Sequence, residues 1–106
     1  MNGKSLTLLL TGLVLLMAAS CASIKDVVDK PENFSGKTVI IQGVVADSIP
    51  VPFREEGVYR ISQGDSSLWV FSKKVPEKGK SVTVMGEVKT GFRVVGRTFG
   101  VILVEN

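Results

Sequence analysis

Residues 24–106 predict an all-β fold, a small five-stranded barrel preceded by one short helix, and residues 1–20 predict a leader that is removed. Three features carry this reading. Gly36-Lys37-Thr38-Val39-Ile40-Ile41-Gln42-Gly43-Val44-Val45 and Gly79-Lys80-Ser81-Val82-Thr83-Val84-Met85-Gly86-Glu87-Val88 follow one pattern: a Gly-Lys start, alternation in period two, and a Gly seven residues after the first. Such alternation is that of strands, and a Gly within a strand permits a bulge or a sharp bend. Val58–Ser62 and Ser67–Phe71 form a hairpin across the four residues Gln63-Gly64-Asp65-Ser66, a connection of ordinary length. Ahead of all this, an apolar run from Leu6 to Met17 follows Lys4 and closes on Ala18-Ala19-Ser20-Cys21.

A positive start, an apolar run and small residues are the order of a secretory signal. The run is shorter than the roughly 20 apolar residues needed to cross a bilayer as a helix, so cleavage is expected rather than anchoring. The small residues before Cys21 resemble the lipobox of bacterial lipoproteins. That resemblance implies acylation of the Cys21 thiol, cleavage before it, and a bacterial cell-envelope location. Ala22, rather than Asp, follows the cysteine, which in that family points to the outer membrane, facing the periplasm. The domains expected are thus a lipoprotein signal over 1–20, a lipidated tether over 21–23 and a barrel over 24–106.

Composition narrows the chemistry. Residues 21–106 suffice for one domain and are too few for two. The net charge of +3 falls to about +2 once Lys4 leaves with the leader, far from the dense basic character of dedicated nucleic-acid binders. The chain has no His, which removes the commonest general base and a usual zinc and haem ligand. Cys21 is its only cysteine, so it forms no internal disulfide.

Taken in order, Ser23 is placed to cap a short amphipathic helix over Ile24–Lys30 that Pro31 stops. The first Gly-Lys strand follows. Asp47–Gly57 reads as a Pro-bearing loop with Phe53 and Arg54. In the hairpin, Ser62 opposite Ser67 would put Tyr59, Ile61, Leu68 and Val70 on one face and Val58, Arg60, Trp69 and Phe71 on the other; a slip of one residue would exchange the two. Ser72–Lys80 reads as an exposed basic loop, the second Gly-Lys strand follows, and a last extended section runs from Thr90 through Val104. The Gly-Lys pairs are not phosphate loops, because each is followed by a strand and lacks the earlier Gly.

The series Gly36-Lys37-x-Val39-x-Ile41-x-Gly43-x-Val45, Tyr59-Arg60-Ile61, Leu68-Trp69-Val70 and Val82-x-Val84-x-Gly86-x-Val88 resembles OB-fold domains of the tRNA-anticodon type and small periplasmic bacterial OB proteins. The segment 72–80 is too short and Pro-marked for the helix often found there in such domains. The resemblance implies a Greek-key barrel that binds along the outer face of its second and third strands and through flanking loops. The candidate ligand-binding residues are then Arg60, Trp69, Phe71, Phe92, Arg93 and Arg97, with Cys21 as the lipidation site. Aromatic rings stack on bases or sugars, and Arg adds charge or a cation–π contact of about 0.5–2 kcal/mol. The competing reading is that these aromatics are covered by another part of the chain and simply pack.

Three functions are compatible with these features to different degrees. The first is a non-catalytic, lipid-anchored envelope module recognising a protein or glycan partner. The second, binding of single-stranded nucleic acid, is disfavoured by a secreted location. The third, an enzyme, needs paired carboxylates in a cleft, whereas Glu55 and Glu56 are adjacent and point apart in an extended chain, and Asp26 and Asp29 lie on the short helix. No catalytic residue, metal or cofactor is therefore expected.

Overall fold

The computed structural model describes residues 19–94 and 96–106. Residues 1–18 of the expected leader lie outside them. Two-residue β1 (Ser20–Cys21) is followed by α1 (Ile24–Asp29), a 3-10 turn (Pro31–Asn33), β2 (Thr38–Pro50), β3 (Gly57–Gln63), β4 (Ser66–Ser72), β5 (Ser81–Val94) and β6 (Arg97–Glu105). The strands form one sheet in the order β1-β2-β3-β4-β6-β5, and a further β2–β5 pairing closes β2 to β6 into a barrel. All its neighbours are antiparallel except β4 and β6, which run parallel because β5 crosses between them in sequence but not in space.

β2 serves both halves of the closed sheet. Thr38–Val44 pair with β5 and Val44–Pro50 with β3, with a register shift between Val45 and Asp47. The strand thus runs on to Pro50, three residues past the point where the sequence suggested a loop. Proline is tolerated there because it ends the ladder, where no further donor is needed. Glycine is required where the backbones come closest. A Cβ at Gly43 would lie 3.0 Å from the Ser62 carbonyl oxygen, and one at Gly86 only 2.4 Å from that of Val104.

Inward residues of every barrel strand make one core: Val39, Ile41 and Val45, Tyr59 and Ile61, Leu68 and Val70, Val84 and Val88, and Leu103. Each buried Val, Leu or Ile contributes about 1.5–3 kcal/mol relative to exposure. One end of the barrel is closed by α1, which inserts Ile24 and Val27. The Ser23 hydroxyl caps this helix by accepting from the Asp26 amide at 3.1 Å. Gln63 clips it to the barrel, accepting from the Ile24 amide at 3.2 Å and donating to the Gln42 carbonyl at 3.0 Å. The other end meets the 73–80 loop, whose Val75 lies against Gly57.

Residues 21–23, read as a tether, lie on the barrel. Cys21 pairs with Ile40 in parallel, the Ala22 amide donates to the Ile40 carbonyl at 3.0 Å, and Ala22 packs on the core. Thr90–Val94, read as the start of the last strand, is the end of β5. Gly91, Gly96 and Gly100 are all plausible turn residues, and only the pairing of Val94 with Arg97 shows that the turn is at Gly96.

Candidate functional site

The β3–β4 register sets Ser62 opposite Ser67, so Arg60 faces Trp69 and Val58 faces Phe71. Tyr59, Ile61, Leu68 and Val70 turn inward, and the other four side chains form the outer face. Reading across the strands, Asp47, Arg60, Trp69, Ile102 and Lys89 stand in one row, and Ile49, Val58, Phe71, Val104 and Glu87 in the next. The guanidinium of Arg60 donates through Nε and Nη2 to Asp47 Oδ2. That hydrogen bond first, and the charge of Arg60 with it, hold the Asp47 carboxyl below its ordinary range. Arg60 is therefore committed to Asp47 rather than standing free over Trp69.

A second apolar cluster covers this outer face. Val58, Phe99 and Ile102 are buried there, with Trp69, Phe71, Phe92, Val94 and Val104 packed around them. The β5–β6 hairpin supplies the cover by bending back. Phe71 pairs with Val104, whereas Phe92 pairs with Phe99, five residues earlier on β6. A straight hairpin would separate those levels by roughly 17 Å at about 3.3 Å per residue. The rings of Phe71 and Phe92 are 5.9 Å apart, and those of Trp69 and Phe99 5.7 Å, both pairs tilted. The bend falls where Gly91, at φ +64°, stands with Gly100 between the paired residues Thr90–Val101 and Phe92–Phe99. Each tilted aromatic pair adds about 0.5–1.5 kcal/mol beyond the area it buries.

The candidate residues thus divide. Phe71 and Phe92 pack on each other. Trp69 and Arg97 share an open groove of about 390 Å³, bounded by Phe99 and by Val28 of α1. Arg93 is exposed on the arm, opposite Thr98. Phe99 packs on Trp69, and Val28 joins its groove, only because the arm folds back and α1 crosses the barrel end, which strand and helix periodicity do not encode. Phe53 is wholly exposed at φ +64° in the β2–β3 loop, next to an Arg54–Glu56 ion pair at 2.6 Å. Cys21 is an exposed free thiol. Among the described residues, no three of His, Cys, Asp and Glu come together as a metal site would need. An aromatic floor, an aliphatic wall and one cation suit the groove to hold an apolar or ring-bearing group beside an acidic one.

No protein-family model and no curated protein sequence matches the chain. Solved structures do. Asparaginyl-tRNA synthetase from Pyrococcus horikoshii is similar over 79% of this chain and 21% of its own, with 24% identity and a TM-score of 0.59. The OBody AM3L09 bound to hen egg-white lysozyme is similar over 69% of this chain and 79% of its own, with 18% identity and a TM-score of 0.53. The OBody AM1L10 bound to the same lysozyme covers 69% and 77%, at 18% identity and a TM-score of 0.51. The chain thus spans about a fifth of the synthetase and most of each OBody. At these identities the likeness concerns the fold, and together with the closed strand order it makes the chain an all-β barrel of the OB-fold type.

Proposed function

We propose that the chain is a lipid-anchored binding module of the bacterial cell envelope, without catalytic activity, that recognises a protein or glycan partner. The observation that carries the binding half is the open groove in which Trp69, Arg97 and Phe99 meet Val28. Aromatic and Arg side chains are the types enriched where partners are held most strongly. The OBodies similar in fold are bound to a protein, so a barrel of this shape is able to present such a surface. The anchoring half rests on the leader and its lipobox-like end, with the thiol of Cys21 exposed. Buried acyl chains contribute about 0.8 kcal/mol per CH₂, and more than one chain is needed for a stable anchor. Because residues 21–22 are bonded to β2, the anchored barrel has almost no slack and lies against the headgroups of, on this reading, the outer membrane.

A photoreactive residue at Thr98, on the groove wall, tests the binding half in cells. A crosslink to an envelope protein or glycan is expected, and it should be lost when Trp69→Ala and Arg97→Glu are combined. A crosslink that survives those substitutions contradicts the proposal. Single-stranded nucleic acid is the second reading; a salt-dependent shift of a labelled oligonucleotide by the purified chain would favour it.

A further inference from the structure

The barrel end away from α1 carries a second groove, and its floor is the chain's single tyrosine. Tyr59 points inward from β3 and is 1% exposed, yet it lines this opening. An OB barrel often has a helix between its third and fourth strands; here the 73–80 loop replaces it and leaves the opening. Both ends of that loop are fixed. The Ser72 hydroxyl donates to the Lys74 carbonyl at 2.9 Å and accepts from the Lys74 amide at 3.2 Å. The Val45 amide donates to the Lys80 carbonyl at 2.9 Å, and the Gly79 amide to the Val45 carbonyl at 2.8 Å. The backbone of Lys74 and Lys80 is therefore held at the rim, with Glu105 on the wall, and Val75 and Val84 complete an apolar side.

This chemistry selects a ligand. Two ammonium groups against one carboxylate favour a single negative charge. Glu105 when ionised only accepts hydrogen bonds, so a partner must donate to it, whereas a phenol both donates and accepts. A hydroxyl satisfies both. The opening is about 360 Å³, near the lower limit of small-molecule sites, which start at about 300 Å³. We propose that the groove binds a small hydroxylated monoanion of the sugar-acid class. Its carboxylate lies with Lys74 and Lys80, its hydroxyls exchange hydrogen bonds with Tyr59 and Glu105, and its carbon face rests on Val75 and Val84. Burial first, then the charge of Glu105, raise the Tyr59 hydroxyl above its ordinary value, so it stays protonated and available as a donor. The site is separate from the outer-face groove and does not depend on the function proposed for that groove.

The test is an amide and tyrosine-ring NMR titration of the full chain in detergent micelles with glucuronate, glucose and inorganic phosphate. Saturable shifts at Tyr59, Val75 and Val84 are expected with glucuronate, in the low millimolar range or tighter, and about tenfold weaker binding of glucose. Tyr59→Phe, which keeps the ring, and Glu105→Gln should each weaken glucuronate about three- to tenfold. Trp69→Ala should leave the titration unchanged. No saturable shift up to about 20 mM glucuronate overturns the proposal. So do equal responses to phosphate or glucose, undiminished binding by Tyr59→Phe and Glu105→Gln in variants with parental spectra, and loss of binding in Trp69→Ala.

Discussion

Tyr59 is at once part of the core and the floor of a polar opening, and its ionisation reports that position. A phenol ionises near pH 10 in an unfolded chain. In the folded chain burial raises it. Its contribution to stability is therefore fully present below pH 10 and is lost as pH rises toward the folded value, because the unfolded state releases the proton first. As the only tyrosine, its phenolate absorbance should titrate above pH 10 in the native protein and near 10 in denaturant; equal midpoints would contradict the burial. Asp47 has the opposite sign: with its carboxyl held low by Arg60, what that pair adds is present above the usual carboxylate range and lost as pH falls. Gly86 has no room for a side chain. Gly86→Ala should destabilise by about 1–3 kcal/mol in denaturant unfolding, whereas the same change at Gly100, where a Cβ meets nothing within 4 Å, should be far milder. The sequence marked Gly86 as a mid-strand glycine and suggested a bend. That the requirement is close approach to Val104 depends on a β6 contact that strand periodicity does not encode.

Among the elements, the β5–β6 arm has most bearing on function, because it decides what remains open on the outer face. Gly91→Ala forces a side chain into a left-handed conformation costing about 1–2 kcal/mol and should loosen the bend. Trp69 is the only tryptophan and lies against Phe99, so its fluorescence should shift to longer wavelength in Gly91→Ala and more so in Phe99→Ala. Unchanged emission in both would mean that the arm does not cover Trp69. The hairpin before it was legible, because four connecting residues and two runs of alternation allow few registers, and Arg60 does face Trp69. The arm was not. A pattern of period two says which residues share a face but not that the whole hairpin turns over and lays Phe92 on Phe71. Helix α1 was legible through Ser23 and Pro31, its place at the barrel end was not, and Val28 joined the groove unannounced.

For the whole molecule, closure of the sheet leaves β2–β6 without long free edges, and β1 adds to β2 next to the β2–β5 seam. Five strands with a bent first member were evident from the paired Gly-Lys segments, and the strand order confirms the barrel. The open barrel end was foreshadowed only by the brevity of residues 72–80, since grooves arise from contacts distant in sequence. The proposed anchor adds a constraint of its own. With Cys21 bonded beside Ile40, acyl chains on that thiol would fix the barrel's orientation on the membrane as well as its location. Cys21→Ser should then release the domain from membranes or leave an uncleaved precursor. The most direct measurement is the intact mass of the protein extracted from cell membranes. A chain starting at Cys21 and carrying acyl groups is predicted; a chain that retains Met1, or one that starts elsewhere without lipid, would contradict the account.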